Sequence, residues 1–422
     1  MRAAGKLIRT GLVWLLACWL VAVIGAVAGG GLPAEAQANA GVGQSAGGRA
    51  SYAGDAACLP CHQKEAAAYR KTAHHLTSQP ANKAAILGSF AEGDNVLTIA
   101  DPAKGSDEPH LAFVMESRPD GFYETAVAEL GSKKLTQSGR VDVVIGSGVR
   151  GQTYLFWAGD RLYELPVSYW TDGRQWINSP GYKDGTANFG RRADPRCMEC
   201  HAAYIKAMSP DPQMNLYDRG SLVTGIACET CHGPGAAHVA QEQFGSKDLK
   251  AARSPILNPA RFDRDLQIDA CALCHNGTDR KELGGAFSYV PGESMERYFA
   301  APSMDAPAAA DVHGNQVGLL KRSRCFMGSP AMTCSTCHDV HAPERTAAAY
   351  SPKCLSCHAW QSCGESKELG RTIERDCVRC HMPMQQTNAI VSVTAGRVLR
   401  TSMRTHWIRV YSPEEWTASS VK

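Results

Sequence analysis

The chain carries almost no excess charge. Its 422 residues include 44 Lys and Arg against 41 Asp and Glu, a net +3, so nothing points to a nucleic-acid partner or a strongly charged substrate. Aromatic residues amount to only 7%. From Cys197 onward the sequence also lacks the long amphipathic periods of a conventional helical domain and is rich in Gly, Pro and Ala instead. A stretch so dominated by loops has too little periodic apolar surface to build a core from side chains alone. Cysteine is what it has in excess. The 17 present are too many for a cytosolic enzyme of this size, and they are not scattered as in a disulfide scaffold.

The N-terminus reads as a targeting segment. Arg2, Lys6 and Arg9 form a basic stretch, an apolar run follows from Leu12 to about Ala28, and Ala34-Glu35-Ala36 offers a cleavage site. Residues 1–36 are therefore expected to be a signal peptide. The alternative is an uncleaved membrane anchor, since the apolar run approaches the ~20 residues that span a bilayer. Lipidation at Cys18 is disfavoured, because the apolar run continues past it. Every alternative exports the rest of the chain, to the periplasm or the extracellular surface. Residues 37–51, Gly/Ala-rich, are expected to be a flexible linker.

Seven Cys-x-x-Cys-His motifs account for fourteen cysteines: Cys58/Cys61/His62, Cys197/Cys200/His201, Cys228/Cys231/His232, Cys271/Cys274/His275, Cys334/Cys337/His338, Cys354/Cys357/His358 and Cys377/Cys380/His381. In such a motif two thiols add across the vinyl groups of haem, giving haem c, and the adjacent histidine is held against one face of the iron. Zinc is the competing reading of Cys-x-x-Cys, but zinc does not require a histidine directly after each pair. Here one follows all seven pairs, in a chain with only 14 histidines. Seven covalently bound haems c are expected.

Cys18 leaves with the signal, so Cys325 and Cys363 remain, and in an oxidising compartment they are expected to form a disulfide. Seven histidines lie outside the motifs: His74, His75, His110, His238, His313, His341 and His406. They equal the haems in number, and several follow a motif closely. His341 comes three residues after His338, which the thioethers pin beneath its own iron, so His341 must reach a different haem if it ligates. His238 follows Gly233-Pro234-Gly235, a turn able to swing it to another macrocycle. At least one of the adjacent His74 and His75 is expected to ligate, as are His313 and His406. His110 lies in a polar Asp-Glu-Pro-His stretch and is left out of the ligand set.

Motif spacing divides the mature chain into a first haem segment (52–86), a β-rich insertion (87–190), a segment with motifs two to four (191–285) and a C-terminal segment with motifs five to seven and a tail (286–422). The insertion holds short β-type runs at Asn95–Ala100, Leu111–Met115, Phe122–Val127, Val141–Ile145 and Thr153–Trp157, separated by Gly and Asp. The expected fold is a multihaem cytochrome c. It consists mainly of short α-helices and loops wrapped around stacked haems, with a small antiparallel β insertion between the first and second motifs. The residues from 389 to 410 alternate in places and are expected to run back as an extended arm.

Several longer strings carry a resemblance. They are Cys58-Leu-Pro-Cys-His62 with Thr72-Ala73-His74, Gly225-Ile-Ala-Cys-Glu-Thr-Cys-His-Gly-Pro-Gly235 with His238, and His313-Gly314-Asn315. Met332-Thr-Cys-Ser-Thr-Cys-His338 with His341, and Asp376-Cys-Val-Arg-Cys-His-Met-Pro383, extend it. Together they resemble the multihaem c-type cytochromes that include the tetrahaem electron acceptor of hydroxylamine oxidoreductase and the paired-motif cytochromes. Glu164–Tyr169 and Ser179–Tyr182 resemble the β insertion of larger members. The likeness covers most of residues 51–410. It implies electron transfer through stacked haems, mostly with two histidine ligands, and assigns the distal role to His74, His238, His313, His341 and His406. The chain exceeds four haems, so the tetrahaem partner relationship does not carry over.

The function expected is electron carriage, with redox proteins or quinol-linked membrane donors as partners, and assembly into an oligomer or haem wire as a further option. The competing expectation is an oxidoreductase with one five-coordinate haem acting on a small nitrogen or sulfur compound. No Cys-x-x-Cys-Lys site marks a catalytic centre of that kind, and Met327 or Met382 offers another sixth ligand.

Overall fold

The computed structural model describes residues 52–100, 109–130, 132–244, 256–277, 280–301, 314–343, 346–412 and 414–415. The signal and linker expected for residues 1–51, and His313, lie outside them.

Among the described residues between the first and second motifs there are eleven strands: β1 Ser78–Pro80, β2 Val96–Ala100, β3 Pro109–Arg118, β4 Gly121–Leu130, β5 Lys133–Val141, β6 Val143–Ile145, β7 Gly151–Ala158, β8 Arg161–Glu164, β9 Val167–Trp170, β10 Gln175–Asn178 and β11 Arg191–Arg192. They make an antiparallel four-stranded meander, β2-β3-β4-β5, and a seven-stranded sheet built on the path β1-β6-β7-β8-β11, with β9 pairing β7 and β10 pairing β9. The alternation in β3 explains the packing. Leu111, Phe113 and Met115 sit two residues apart on one face and are 4%, 0% and 0% exposed. They join Ile99, Val144, Tyr154, Leu165 and Trp176 in one core. The far half of β5, led by Lys133 and Lys134, is exposed, and lysines on a free edge discourage further strand pairing.

The β structure is larger than a small insertion. It begins at Ser78, inside the expected first haem segment, because β1 pairs with β6 in the register Ser78 to Ile145. A second core of Val143, Leu155, Leu162, Met198, Ile205 and Tyr217 carries it on to the second motif and to a hairpin of β12 Ala202–Ala207 and β13 Tyr217–Thr224. The expected extended arm is another hairpin, β14 Met384–Thr394 and β15 Arg397–Arg404. Its tip docks on β10, with the Asn178 N–H donating to Thr394 Oγ1 at 2.9 Å and Ser392 Oγ donating to Asn178 O at 2.7 Å.

The helices are short: α1 Asp55–Cys58, α2 Gln63–Tyr69, α3 Pro195–His201, α4 Cys228–His232, α5 Ala236–Phe244, α6 Arg264–His275, α7 Gln316–Lys321, α8 Arg324–Met327, α9 Ala347–Leu355, α10 Ser366–Leu369 and α11 Cys377–His381. Among the described residues, none is long and apolar enough to cross a membrane. Around α6 a third core gathers Ile268, Ala272, Met295, Phe299, Val317 and Phe326. Side-chain packing is sparse beyond it. Among the described residues between His338 and Arg404, the buried apolar residues are Ile373 and Val378.

Candidate haem-binding site

Each motif occupies about one helical turn. The histidine N–H bonds back to the carbonyl of the first cysteine, at 3.0 Å for His62 to Cys58, 2.9 Å for His338 to Cys334 and 3.0 Å for His358 to Cys354. That turn places cysteines i and i+3 on one face and brings the histidine beside them. α3, α4 and α11 are little more than such turns, while α6 ends in one.

All seven motif histidines, and every motif cysteine except Cys197, line one continuous cavity of about 3390 Å³. An ordinary small-molecule pocket holds roughly 300–1,000 Å³, so this space suits several macrocycles rather than one ligand. Two thiols and an imidazole at each motif, all but Cys197 lining a large cavity, fit haem c.

The histidines from outside the motifs meet the motif histidines across this cavity. Ring centroids are 6.4 Å apart for His62 and His238, 6.1 Å for His275 and His74, 6.0 Å for His232 and His341, and 6.1 Å for His338 and His406. The span of two imidazoles on opposite faces of one metal follows from bond lengths. Two metal–nitrogen bonds of roughly 2 Å and about 1.1 Å from each nitrogen to its ring centre give about 6.2 Å. In all four pairs the two rings come from separate segments of the chain.

Burial, chiefly, and the neighbouring His275 hold His74 down to about 4, and burial with His338 does the same for His406. Both imidazoles are therefore neutral at pH 7, with a nitrogen lone pair to offer. The His74 ring opens on the cavity while protein surrounds it elsewhere. His75 does not line the cavity. It packs edge-on against Tyr69 at 5.9 Å, which separates the two members of the ambiguous pair.

Second contacts orient the motif rings. His232 Nδ1 lies 2.9 Å from Leu257 O, His381 Nδ1 3.0 Å from Arg409 O and His201 Nδ1 3.1 Å from Thr77 Oγ1. An Nδ1–H donated to such an acceptor leaves Nε2 free to face a metal.

The motifs are braced in pairs by residues the sequence reading passed over. Asp55 Oδ1 accepts the Cys228 N–H at 2.9 Å, while the Glu229 carboxylate accepts the N–H groups of Ala53 and Gly54, both at 2.8 Å, and of Gly235 at 2.6 Å. Arg196 ties motif two to motif four through Leu273 O at 2.7 Å, and Arg264 ties α6 to Met332 O at 3.0 Å beside motif five. The thiols of Cys58 and Cys228, of Cys200 and Cys274, and of Cys271 and Cys334 consequently touch across motifs. Glu199 and Glu229, acidic residues inside two of the motifs, were the available signal for this bracing.

The expected Cys325–Cys363 disulfide is absent, and both residues are free thiols lining the cavity. Cys325 lies within electrostatic reach of Cys357, and Cys363 of Cys377, so each faces a haem motif.

The profile of the family described as "Cytochrome c554 and c-prime" matches residues 178–233, which include motifs two and three. The chain is 23% identical over 254 residues to the C-type polyheme cytochrome OmcC of Geobacter sulfurreducens, covering 52% of this chain and 30% of that one. To the multiheme cytochrome MtrA of Shewanella baltica it is 23% identical over 196 residues, covering 42% and 56%. These likenesses are all to multihaem c-type cytochromes, which the chain resembles over part of its length. The chain spans only part of the length of the curated relatives it matches, and haem c is the cofactor that these likenesses and its cysteines support. Its fold is similar to that of the crystal structure titled Outer Cell Wall Cytochrome OcwA, with a TM-score of 0.55 and 17% identity over 87% of this chain and 81% of the other.

Proposed function

We propose that the protein is an exported seven-haem cytochrome that relays single electrons through a chain of mostly bis-histidine haems. The observation that carries this reading is the set of four opposed imidazole pairs at 6.0–6.4 Å. On it, His238 would join His62 in holding the haem bonded to Cys58 and Cys61, His341 would join His232 at that on Cys228 and Cys231, His74 would join His275 at that on Cys271 and Cys274, and His406 would join His338 at that on Cys334 and Cys337. His313 belongs to the same ligand set by the sequence reading alone. Bound haem c supplies an iron that cycles between Fe(III) and Fe(II) and so takes or gives one electron.

The protein's part is to hold, space and tune. Motif cysteines that touch across pairs keep neighbouring attachment edges together. Two imidazole ligands per iron would favour the low end of the haem potential range, relative to His/Met ligation. Partners on this reading are redox proteins or quinol-linked membrane donors, outside the cytoplasm. The names of the relatives support the electron-transfer class, and the N-terminal basic and apolar segment supports export.

The test uses protein matured in a host with cytochrome c assembly. Intact mass should show seven haem additions, and paramagnetic resonance of the oxidised protein should be dominated by low-spin iron. Fewer than seven additions in homogeneous protein would overturn the stoichiometry. A high-spin fraction that binds cyanide or nitrite would replace the carrier by an enzyme with an open haem.

A further inference from the structure

His201 differs from the other motif histidines whose Nδ1 contact is resolved. His232 and His381 face backbone carbonyls, of Leu257 and Arg409, whereas His201 faces the hydroxyl of Thr77 at 3.1 Å. A carbonyl is the stronger acceptor. The stronger the pull on Nδ1–H, the more imidazolate character the ring gains, the better Nε2 donates to iron, and the more Fe(III) is favoured over Fe(II).

Thr77 is held in place from several sides. Its carbonyl accepts the Gly146 N–H at 2.7 Å and its own N–H donates to His74 O at 3.3 Å. Next to it, Ser78 Oγ donates to His201 O and accepts the Gly225 N–H at 2.9 Å. Gly225 is needed for this approach. Its φ is +72°, and a Cβ there would lie 2.2 Å from His75 O. The five residues 74–78 therefore place one side chain opposite His275 and another on the ring of His201.

We propose that Thr77 is a positioning residue of the second haem: its hydroxyl accepts the Nδ1–H of His201, fixes the tautomer and plane of that imidazole, and holds the potential of this haem above the value a carbonyl acceptor would give. The proposal rests on His201 being the proximal ligand of the haem bonded to Cys197 and Cys200. Thr77 touches neither the haem iron nor a substrate in this scheme and acts only through the ring.

The experiment is a spectroelectrochemical titration of the fully loaded protein, with haem count by intact mass and spectra of the oxidised state alongside. Thr77→Val, which keeps the shape and removes the acceptor, should move one midpoint upward and leave seven haems attached. Thr77→Ser should restore it, and Thr77→Asp, a stronger acceptor, should move the same midpoint downward. Ser78→Ala loses the brace on the His201 backbone but not the contact to its ring, and should leave that midpoint in place. Unchanged midpoints and spectra in Thr77→Val overturn the proposal, as does an equal shift in Ser78→Ala, which would make the effect one of packing. His201→Ala separates the two layers. If it alters one haem while Thr77→Val alters none, only the role of Thr77 fails, and if it alters none, the ligand assignment beneath it fails.

Discussion

The imidazoles of His232 and His341 face each other with ring centres 6.0 Å apart and planes 19° from parallel. His341 lies three residues after His338, yet it is His406 that faces His338. Replacing His341 with Ala should leave all seven haems attached, since the thioethers do not involve it. One haem should change from low-spin to high-spin and open to added ligands, and it should be the one on Cys228 and Cys231. Paramagnetic resonance of the oxidised variant checks this, and an unchanged spectrum would remove His341 from the ligand set.

His74 and His75 make a sharper pair. Only His74 opens on the cavity, opposite His275, whereas His75 rests on Tyr69. His74→Ala should convert one haem, that on Cys271 and Cys274, to high spin and shift its midpoint upward as an imidazole ligand is lost. His75→Ala should leave the spin state alone and cost stability only. The reverse pattern would exchange the two roles.

How much of this was legible in the sequence depends on the range of each interaction. The motifs are local, and five residues suffice to read them. That His341, if it ligates, must serve a haem other than that of His338 was legible from its spacing, whereas the histidine it faces, His232, required the fold. The β-type runs Asn95–Ala100, Leu111–Met115, Phe122–Val127 and Thr153–Trp157 overlap β2, β3, β4 and β7 because alternation is local too, whereas Val141–Ile145 straddles the break between β5 and β6. β1, of three residues, and β11, of two, carry no such pattern and exist through their partners. The contact of Thr77 with His201 spans 124 positions and leaves no trace in either neighbourhood. The disulfide expectation failed for a related reason. Counting leftover cysteines contains no geometry, whereas a bridge requires particular distances.

Glu229 is 5% exposed and its carboxylate receives three backbone N–H groups, two of them from the segment leading into α1. Hydrogen bonds to a charged acceptor are worth about 1.5–3 kcal/mol each, and buried donors left without a partner add a penalty. Glu229→Ala should therefore destabilise the loaded protein by about 2–5 kcal/mol, with Glu229→Gln intermediate. Urea unfolding followed through the haem absorbance measures this, and a loss below 1 kcal/mol would mean the clamp is not needed once the haems are bound.

Without haem attachment the chain should not unfold evenly. The β unit has a side-chain core of its own around Phe113, Met115, Val144 and Tyr154, whereas the region from His338 to Arg404 has little apolar burial among its described residues. Apoprotein made without the maturation machinery should yield a protease-resistant fragment from about Ser78 to Arg192, with early cuts beyond Cys334. Mass mapping of the fragments decides it, and equal resistance along the whole chain would show that the haems are not the core of the C-terminal half.

The last prediction concerns pH. Glu164 ends β8 beside Arg191, whose Nε lies 3.1 Å from its carboxylate. Burial pushes Glu164 up to about 7 despite the opposing pull of Arg191, and burial also raises Glu124, in the neighbouring sheet, well above the usual carboxylate range. The Arg191 side chain is 46% exposed, so its charge is partly screened by water and does not cancel the cost of burying Glu164. An unfolded glutamate releases its proton near pH 4.3. Between there and pH 7 the folded protein therefore binds protons that the unfolded chain has lost, and stability falls as pH rises through this window. The contribution is fully present below about pH 4.3 and amounts to about 4 kcal/mol for Glu164. Glu164→Gln, which stays neutral, should make the slope below pH 7 shallower, while Glu124, raised for the same reason, keeps its own loss through this window and beyond it. Urea midpoints of wild type and variant measured from pH 5 to pH 8 test this. Parallel lines would mean that Glu164 is ionised in the folded protein throughout, and that Arg191, not burial, sets its charge.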